Sequence, residues 1–486
     1  MVTTPTARDL TLAQILERQQ QAFLADPQPS AKVRRDRILR LKRLILDNAA
    51  ELTEAMREDY GSRPETLSTL TDIASSMPDL DHQRKNVRKW MKPTRISRAL
   101  DKLGFQQEVR HDPKGVVGII GPWNFPLYLT IVPAGSALGA GNRVMLRPSS
   151  VTALTTEVLA RRAPDYFSVD ELAVIGPEHG RGSDFSVLPF DHLFFTGSPD
   201  VGKSVAADAA ANLTPVTLEL GGKNPVVVDA SADIERAARS VAASRMVNGG
   251  QVCMCPDYVF VPSDRLDTFC DTVLDQWRTA MPAIAGNPEY TATINTKNYE
   301  RIVGLIDDAV AKGAVKRDAA PAGERLPDAV TRKIAPTLLT GVTPEMEIDS
   351  DEVFGPVLTV FGYSTIDQAI LYINDRPNPL VLYWYGEKNE RFEVVADRTR
   401  AGSIYGNDFG IGMASSAIPF GGVGNSGMGG YHGRYGFSTF THERAVAMHS
   451  FATNISEFIA APYPPDKKRH ASIYFNAMKW RTKLKL

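Results

Sequence analysis

The sequence predicts an α/β fold made of two doubly wound parallel-sheet domains, with a small β-hairpin added to them. The chain has 486 residues, which is too long for a single hydrophobic core. From residue 116 to 229 short apolar runs alternate with segments of helical periodicity, and a second alternating series runs from 234 to 398. This alternation is typical of parallel sheets with helices on both faces, which bind ligands at the carboxyl ends of their strands.

The part of the chain before these series is predicted to be mainly helical. Apolar side chains recur at helical spacing along residues 10–26, 33–60 and 72–90. The period then changes, and residues 106–111 and 116–120 predict two strands. The segment between them contains Pro113 and Gly115, which predicts a turn and therefore a hairpin.

The two alternating series divide into strands and helices by the length and period of each segment. The first predicts strands at 143–146, 172–175, 192–196, 216–219 and 225–228, and helices at 127–140, 151–160 and 201–211. The second predicts strands at 258–261, 357–361 and 381–385, and helices at 234–246, 266–279, 299–311, 366–374 and 390–398. Residues 312–328, rich in alanine, lysine, arginine and proline, predict an exposed loop.

Composition and charge exclude several classes of protein. Hydrophobic content of 43% and charged content of 23% are ordinary for a globular protein, and a net charge of −1 gives no reason to expect nucleic acid as a partner. Residues 1–30 lack the apolar core of a signal peptide, and no apolar run is long enough to span a bilayer. Three cysteines do not make a disulfide framework. We therefore expect a cytoplasmic protein without a transmembrane anchor.

Two Gly-Gly pairs adjoin residues that can carry covalent chemistry. Cys253 follows the pair at 249–250, and Glu219 precedes the pair at 221–222. A lone cysteine is more often a small buried residue, and the carboxylate could simply cap its glycine turn. A thiol nucleophile and a carboxylate whose pKa is raised by burial would instead form a catalytic pair. Cys255 is too close to Cys253 for the usual zinc spacing, so no metal site is predicted.

Residues 197–204 match the pattern of a phosphate-binding loop, G-x-x-x-x-G-K-[ST], between a predicted strand and a predicted helix. Asp229, at the end of the apolar run 226–228, could then bind magnesium. A nucleotide hydrolase is therefore one alternative. The same turn would serve a dinucleotide pyrophosphate equally well, because both ligands use backbone N–H groups at a helix N-terminus.

Six motifs occur in an order and at spacings similar to those of the aldehyde dehydrogenase superfamily, and the resemblance extends from about residue 30 to 450. It implies that residues 197–203 form a dinucleotide turn rather than a phosphate-binding loop. The motifs are Gly121-Pro122-Trp123-Asn124-Phe125-Pro126, Phe195-Thr196-Gly197-Ser198, Glu219-Leu220-Gly221-Gly222-Lys223, Gly250-Gln251-Val252-Cys253, Glu352-Val353-Phe354-Gly355-Pro356-Val357 and Pro419-Phe420-Gly421-Gly422-Val423-Gly424.

The resemblance assigns the catalytic roles to three residues. Cys253 would attack the aldehyde carbon, and the side-chain amide of Asn124 with the Cys253 backbone N–H would bind the developing oxyanion. Loss of hydride from this thiohemiacetal would give a thioester, and Glu219 would activate the water that hydrolyses it to a carboxylic acid. A non-catalytic structural relative of these enzymes is a further alternative, although the three residues are all present.

The resemblance also implies NAD or NADP as cofactor and assigns its contacts to Trp123, Arg147, Ser150, Gly197, Ser198, Gly202, Glu352 and Phe354. One segment departs from the family, which usually has Lys-Pro-Ser-Glu where this chain has Arg147-Pro148-Ser149-Ser150. The usual glutamate binds ribose hydroxyls and would repel a 2′-phosphate. Because Ser150 removes that repulsion and Arg147 can bind phosphate, we hypothesise that NADP is accepted alongside NAD, with a preference for NADP as the stronger form of the hypothesis.

Residues 253–258, 374–380 and 425–433 resemble the branch of class 3 and coniferyl aldehyde dehydrogenases. This branch implies an apolar aldehyde as substrate, either aromatic, such as a coniferyl-type aldehyde, or aliphatic with a medium or long chain. It also implies a homodimer. The implied domains are an NAD(P)-binding, Rossmann-like domain (1–104 and 116–221), a catalytic domain (222–408), and an oligomerisation hairpin (105–115) with a C-terminal segment (409–486) that ends in the basic stretch 479–486.

Overall fold

The computed structural model describes residues 5–97, 101, 104–449 and 455–483. The first four residues of the polar N-terminal segment and the last three of the basic C-terminal stretch lie outside the described residues. Within the described ranges, none of the helices has the length and apolar character needed to cross a bilayer.

The strands, numbered in chain order, confirm all the strands predicted from the sequence and add several. They are β1 Thr94–Arg95, β2 Phe105–Pro113, β3 Val116–Ile120, β4 Arg143–Arg147, β5 Leu172–Val174, β6 His192–Gly197, β7 Val216–Leu220, β8 Asn224–Val228, β9 Pro256–Pro262, β10 Val315–Asp318, β11 Thr337–Thr340, β12 Val357–Tyr363, β13 Val381–Tyr385, β14 Ser403–Gly406, β15 Gly427–Met428 and β16 Thr441–His449.

The helices likewise follow the predicted periodicity, with breaks that the pattern did not predict. They are α1 Leu12–Ala25, α2 Ala31–Leu46, α3 Ala49–Tyr60, α4 Glu65–Ser68, α5 Ser76–Trp90, α6 Tyr128–Ala140, α7 Ala153–Arg162, α8 Gly182–Ser186, α9 Pro199–Ala210, α10 Ile234–Met246, α11 Leu266–Ala280, α12 Thr296–Ala311, α13 Glu347–Ser350, α14 Ile366–Asn374, α15 Glu390–Arg398, α16 Ile411–Ala414, α17 Gly433–Thr439, α18 Ile455–Ile459 and α19 Pro465–Lys483. A π-helical turn, Thr69–Ala74, precedes α5.

The first large sheet has the strand order β15-β7-β6-β3-β4-β5. All neighbouring strands are parallel except β15, which runs antiparallel to β7. The chain builds outward from β3 in one direction and from β6 in the other, so the strand order reverses between them. In doubly wound sheets this reversal is where ligands bind.

The second large sheet has the order β10-β11-β12-β9-β8-β13-β14 and is parallel apart from the edge strand β10. Strands β8, β9 and β13 are buried at every position. Such uninterrupted burial is typical of the central strands of a parallel sheet with helices on both faces. The predicted α/β class with two doubly wound sheets is therefore confirmed.

Helix α6 joins the first sheet to the helical layer formed by the N-terminal part of the chain. Each of its residues is buried, including Pro133 in its interior. A helix that is apolar on all sides is stable only when it is surrounded by protein. The helix therefore fixes the position of the loop 121–127 that leads into it from β3.

The predicted hairpin is wrong. Strand β2 belongs to a three-stranded sheet of order β1-β2-β16, whereas β3 belongs to the first large sheet. The antiparallel partner of β2 is β1, with Thr94 opposite Val109. Turn residues at 112–115 indicated a reversal of the chain, but they could not indicate that the two strands belong to different sheets.

The chain separates into two compact units, one formed by residues 1–91 with 112–442 and the other by residues 92–111 with 443–486. The first contains both large sheets. The second contains β1 with most of β2 and β16, and the helices α18 and α19. The division into 1–104 with 116–221, 222–408, and 105–115 with 409–486 stays a prediction.

The predicted loop at 312–328 is wrong in part, because it contains β10. This strand pairs antiparallel with β11, and its sequence Val315-Lys316-Arg317-Asp318 is half-exposed or exposed throughout. Charged residues on an edge strand prevent pairing with other chains, and they also hide the strand from a hydrophobic pattern. The C-terminal tail likewise contains a helix, α19, that is exposed along almost its whole length.

Candidate active site

The loop that carries Cys253 depends on a run of left-handed backbone. Asn248, Gly249 and Gly250 have φ angles of 51°, 63° and 76°. A Cβ atom on Gly250 would lie 2.2 Å from the carbonyl oxygen of Gly355, so only glycine fits there. This reversal, between the end of α10 and the start of β9, leaves the Cys253 side chain half-buried rather than enclosed.

Asn224 fixes the backbone on both sides of the thiol. Its Nδ2 donates to the carbonyl oxygens of Cys253 at 2.8 Å and of Cys255 at 3.0 Å. Its Oδ1 accepts from the Val381 N–H at 2.9 Å. Cys255 itself is buried, and its Sγ lies 3.6 Å from the carbonyl oxygen of Ser244. Cys255 is therefore packed in the core, whereas Cys253 faces a cavity.

The surroundings of Cys253 keep it as a thiol. Burial raises the pKa of Cys253 to about 12, and the negative charges of Glu352 and Glu219 raise it further in the same direction. The nucleophilic form is the thiolate, so a base must remove this proton during the reaction.

Glu219 has the properties of that kind of base. It lies in β7 beside Thr196 of β6 and Gly427 of β15, and it is 4% exposed. Neither of its carboxylate oxygens has a hydrogen-bond partner among the described residues. Burial raises the pKa of Glu219 well above its ordinary value of 4.5. A carboxylate in this environment binds a proton readily and is free to accept one.

Asn124 lies in the loop after β3, and its side chain reaches the Cys253 loop. Its Nδ2 donates to the carbonyl oxygen of Gln251 at 3.2 Å. The amide has a second N–H that could bind an oxyanion. The Gln251 side chain is also held on both sides, because it donates to the Ala292 carbonyl and accepts from the Ile294 N–H.

The backbone of Asn124 is held by three donors. Its carbonyl oxygen accepts from Arg63 Nη1 at 2.8 Å, from the Tyr60 hydroxyl at 3.2 Å and from Asn248 Nδ2 at 3.1 Å. Three donors on one carbonyl leave the loop little freedom. Since Asn248 also belongs to the Cys253 loop, the Asn124 loop and the Cys253 loop are positioned together.

Arg63 and Asp72 form an ion pair in which both side chains are fully buried, with Arg63 Nη2 2.6 Å from Asp72 Oδ2. The other carboxylate oxygen, Oδ1, accepts from the backbone N–H groups of Leu127 at 3.1 Å and Tyr128 at 3.4 Å. These N–H groups lie at the start of α6, where the helix dipole favours a negative charge. The ion pair therefore connects the Asn124 carbonyl to the N-terminus of α6.

Glu352 lies against the Gly-Gly pair that follows Glu219. A Cβ on Gly221 would lie 2.2 Å from Glu352 Oε2, and the Gly222 N–H donates to this carboxylate. Burial, with the charge of Asp257, raises the pKa of Glu352 to about 8. Arg301 holds the backbone of this segment by donating to the Glu352 carbonyl at 3.0 Å.

A buried ion pair of Lys223 with Asp257 supports the Glu352 segment. The ammonium group of Lys223 also donates to the carbonyl oxygens of Ile348 and Asp351, both at 2.9 Å. Asp257 Oδ2 accepts from the Val353 N–H at 3.0 Å. The residues before and after Glu352 are therefore both fixed to the same pair of charges.

Trp123 and Phe354 meet edge to face with ring centroids 5.3 Å apart. Phe354 has a φ of 46°, which is rare for a bulky residue and indicates a locally strained backbone. The contact places two of the predicted cofactor residues side by side.

The dinucleotide turn after β6 leads directly into a helix. Helix α9 begins at Pro199, and Ser198 caps it by accepting from the Val201 N–H at 3.5 Å. A Cβ on Gly202 would lie 2.6 Å from a methyl group of Leu220, so glycine allows the helix to pack closely on the sheet. The hydroxyl of Thr196, just before the turn, is buried without a partner in the described part of the chain.

These features fit a dinucleotide, because the helix N-terminus offers N–H groups to a pyrophosphate and Thr196 offers an unused hydroxyl. They do not fit the phosphate-binding loop of a nucleotide hydrolase. That interpretation of residues 197–204 is wrong, because the residues from Pro199 onward are helical and cannot wrap a phosphate. Lys203 is exposed and pairs with Asp200, and Asp229 is bonded to Arg391.

Arg147 and Ser150, predicted to contact the adenosine end of the cofactor, differ in their surroundings. Ser150 is exposed. The two terminal nitrogens of Arg147 already donate to the carbonyl oxygens of Gly176 and Gly180. The carboxylates of Glu178 and Asp184 are close enough to raise the pKa of Arg147, although burial lowers it more. The guanidinium thus holds a turn and faces negative charges.

The half-buried Cys253 lies in the wall of a small cavity. Most of the wall is aromatic or aliphatic, and it comes from three parts of the chain: the loop and helix after Asn124, the Cys253 loop, and the segment 412–432. The lining residues are Phe125, Tyr128, Leu129, Val252, Cys253, Met254, Gly412, Phe420, Tyr431 and His432. Such a wall fits an apolar group attached to a carbonyl.

The structure adds residues that the sequence motifs did not identify. Arg63, Asp72 and Tyr128 carried no signal, because charged residues are usually solvated and an aromatic residue in an apolar helical segment is usually part of the core. Thr196 and His432 lie within sequence segments that were already noted as similar to the family. Their position in those segments was the signal that could have identified them. Within the described ranges, no three His, Cys, Asp or Glu side chains are arranged to hold a metal ion.

Comparisons with known proteins agree with one another. The aldehyde dehydrogenase family model matches residues 1–446. A probable coniferyl aldehyde dehydrogenase of Caulobacter vibrioides is 42% identical over 90% of this chain and 91% of its own length. The coniferyl aldehyde dehydrogenase of a Pseudomonas species is 40% identical, with 93% and 94% covered. The substrate-bound structure of Staphylococcus aureus AldH matches with a TM-score of 0.86 at 32% identity, covering 96% of this chain and 100% of that one.

The buried ion pair can be tested by removing one charge and then both. Arg63→Met should lower the free energy of unfolding by about 3–5 kcal/mol, because it leaves the buried Asp72 carboxylate unpaired. Adding Asp72→Leu should recover part of that loss. Urea denaturation measures both. Arg57→Met, which removes an exposed arginine paired with Glu54, is the matched control and should change little. An Arg63→Met protein as stable as the parent would contradict the role of the pair.

The buried carboxylate of Glu219 should make the protein less stable at high pH. Its pKa is raised in the folded state, so the unfolded chain gives up this proton first. Stability then falls as pH rises above the ordinary value of a glutamate. Glu219→Gln does not titrate, and at pH 8.5 it should be more stable than the parent by on the order of 1 kcal/mol.

The thermal midpoints of the parent and of Glu219→Gln, measured at pH 8.5 and pH 5.5, check this expectation. The rise in the midpoint of Glu219→Gln over that of the parent should be smaller at pH 5.5. Glu58→Gln, at an exposed position, should show no gain at either pH. The expectation would be contradicted if the gain in stability of Glu219→Gln over the parent were smaller at pH 8.5 than at pH 5.5.

Proposed function

The chain belongs to the aldehyde dehydrogenase family, and on this premise we propose that it oxidises apolar aldehydes to carboxylic acids through a covalent intermediate on Cys253. As a member of this family it is an NAD(P)-dependent oxidoreductase that acts on the aldehyde group. The observation that carries the covalent route is the half-buried Cys253 thiol in the wall of an apolar cavity, where the charge of the unpartnered Glu219 carboxylate reaches it.

In the first step the Cys253 sulfur forms a bond to the aldehyde carbon. The carbonyl oxygen becomes an oxyanion, which the free N–H of the Asn124 amide and the Cys253 backbone N–H stabilise. The thiol proton passes to a base, and Glu219 is suited to receive it because both its oxygens lack partners in the described chain. The product of this step is a thiohemiacetal.

When bound, NAD(P) would accept the hydride from this carbon, and the adduct held on Cys253 would then be a thioester. The residues that would hold the cofactor lie around the dinucleotide turn and the Glu352 segment. The Ser198 turn and the start of α9 would bind the pyrophosphate, and the Glu352 carboxylate would accept from ribose hydroxyls. Trp123 and Phe354 would pack beside it.

Before the last step Glu219 would release to solvent the proton that it took from the thiol. Water would then attack the thioester, and the ionised Glu219 would remove a proton from this water. The acid leaves, and the sulfur takes back a proton. Burial raises the pKa of Glu219 well above its ordinary value of 4.5, which makes its ionised form a stronger base than an exposed carboxylate. The step consumes one water and regenerates the thiol.

The apolar wall of the cavity supports an aromatic or long aliphatic substrate. Phe125, Phe420 and Tyr431 offer ring faces and edges to a substrate ring. Two of the similar proteins carry the name coniferyl aldehyde dehydrogenase. Among the apolar aldehydes we therefore favour aromatic ones of the coniferyl type, with medium-chain or long-chain aliphatic aldehydes as the second class.

The surroundings of Arg147 favour NAD over NADP. The missing glutamate at position 150 removes one source of repulsion for a 2′-phosphate, but Glu178 and Asp184 supply two others near the guanidinium. The two terminal nitrogens of Arg147 are also engaged with backbone carbonyls. The hypothesis that NADP is accepted alongside NAD stays open to the binding test below.

A homodimer stays part of the proposal, with the segment 105–115 and the C-terminal segment at the interface. Strand β16 supports it, because it lies at the edge of the β1-β2-β16 sheet and most of its residues are exposed. An exposed sheet edge is a common surface for pairing between chains.

Oxidation can be measured by NAD(P)H absorbance with a panel of aromatic and aliphatic aldehydes. The parent should form NAD(P)H, and Cys253→Ser should lower kcat at least about 1,000-fold because it removes the nucleophile. Cys270→Ala, a buried cysteine in α11, is the matched control and should keep its activity. Glu219→Gln should accumulate an acyl adduct on Cys253, visible by mass spectrometry. A parent that forms NAD(P)H with none of the aldehydes would favour a non-catalytic relative.

Cofactor preference can be measured by calorimetric titration of the protein with each cofactor. NAD should bind at least about tenfold more tightly than NADP, since an added phosphate meets like charge. Glu178→Gln should reduce the difference in affinity between NAD and NADP. Glu157→Gln, which removes the other carboxylate paired with Arg8, should leave it unchanged. Equal or tighter binding of NADP by the parent would refute the preference for NAD.

A further inference from the structure

Cys253 and Met254 are the two central residues of a tight turn. The turn is closed by the Cys255 N–H, which donates to the Val252 carbonyl oxygen at 3.0 Å. This bond uses the N–H of the last residue of the turn and leaves the N–H groups of the two central residues outside it. The turn therefore presents two backbone N–H groups beside the side chain of Cys253.

These N–H groups are the favourable part of an environment that otherwise opposes charge on the sulfur. Burial raises the pKa of Cys253 to about 12, and the negative charges of Glu352 and Glu219 act in the same direction. The backbone N–H groups of Met254 and Cys253 lower this pKa, because they hydrogen-bond the sulfur. Three phenols near the sulfur stay neutral because burial raises their pKa; they are Tyr128, Tyr383 and Tyr431. Negative charge on the sulfur is thus stabilised by the backbone of its own turn.

Asn224 fixes the direction of one of these N–H groups. The Cys253 carbonyl and the Met254 N–H belong to the same planar peptide group and point to opposite sides of it. Asn224 Nδ2 donates to this carbonyl oxygen at 2.8 Å and to that of Cys255 at 3.0 Å. Its Oδ1 accepts from the Val381 N–H at 2.9 Å, which holds the amide in place. Fixing the carbonyl end of the peptide group also fixes its N–H end, and a bonded carbonyl makes that N–H a stronger donor.

The Tyr383 hydroxyl fixes the next peptide group of the turn. It donates to the Met254 carbonyl oxygen at 2.6 Å, and its side chain is fully buried. Tyr383 lies in β13, which pairs with the β8 strand that carries Asn224, and it stands opposite Val226 of that strand. Met254 is therefore held on both sides by two neighbouring strands of the second large sheet.

We propose that Asn224 is a positioning residue for the thiol, which directs the Met254 N–H at the Cys253 sulfur and so stabilises negative charge there, with Tyr383 supporting the same turn. This inference rests on the proposed role of Cys253 as nucleophile. In that mechanism charge develops on the sulfur when the thiol loses its proton. It develops again when the C–S bond of the thioester breaks and its electron pair stays on the sulfur. A fixed N–H donor stabilises the sulfur on both occasions.

The rate at which iodoacetamide alkylates Cys253, followed by mass spectrometry from pH 7 to pH 9, measures this effect without aldehyde or cofactor. Asn224→Leu keeps the size of the side chain but removes its donors. Its alkylation rate should be about threefold lower than that of the parent at each pH, because a thiolate fraction about tenfold smaller is partly offset by a more nucleophilic thiolate. Tyr383→Phe should lower the rate by a smaller factor.

Each variant has a matched control elsewhere in the chain. Asn142 is also buried, and it donates to two backbone carbonyl oxygens and accepts from the Gly115 N–H. Tyr290 is buried and donates to the Ile334 carbonyl oxygen at 2.6 Å. Asn142→Leu and Tyr290→Phe should therefore lower the free energy of unfolding as the test variants do, but they should leave the alkylation rate of Cys253 unchanged.

The outcomes separate this inference from the proposed function. Alkylation of Asn224→Leu at the rate of the parent or faster refutes the inference, and so does an equal decrease in Asn142→Leu. If Asn224→Leu does not fold, the comparison of Tyr383→Phe with Tyr290→Phe decides in the same way. A parent that oxidises no aldehyde, while its alkylation rate responds to Asn224→Leu as expected, refutes the proposed function alone.

Discussion

The buried ion pair of Arg63 and Asp72 is the constraint on which the catalytic geometry depends. Both side chains are withdrawn completely from water, which is costly unless every donor and acceptor is used. Here Arg63 donates to the Asn124 carbonyl, and Asp72 accepts from two N–H groups at the start of α6. The groups that compensate the buried charges are therefore the same groups that hold Asn124, the proposed oxyanion donor, in place.

The site combines this rigid support with several locally unfavourable features. Asn248, Phe354 and His432 all have positive φ angles although none is glycine. Glu219 and Thr196 are buried without partners among the described residues. Each feature lowers stability, and all of them lie around the thiol or the cofactor turn. Such a concentration is typical of active sites, where strain and unsatisfied groups are stabilised by the surrounding fold and used by the substrate.

The sequence could predict what depends on local patterns. Cys253, Glu219 and Asn124 stand in ordered motifs, and the alternation of apolar runs with helical segments predicted both large sheets. The sequence could not predict contacts between segments that are distant along the chain. Charged residues such as Arg63 and Asp72 are usually solvated, and their burial here depends on the loop after β3. The charged strand β10 and the sheet membership of β2 were missed for the same reason, since strand partners are chosen by the whole fold.

Cys253 and Glu219 also constrain each other. The charge of Glu219 raises the pKa of Cys253, so ionisation of the carboxyl makes ionisation of the thiol harder. A free thiolate beside a charged Glu219 is therefore the least stable arrangement of the pair. Transfer of the thiol proton to Glu219 avoids it, because one group gains the proton that the other loses. In the proposed mechanism the negative charge would then pass to the carbonyl oxygen, where the Asn124 amide would bind it. The thiol would thus become reactive only when a substrate carbonyl is present.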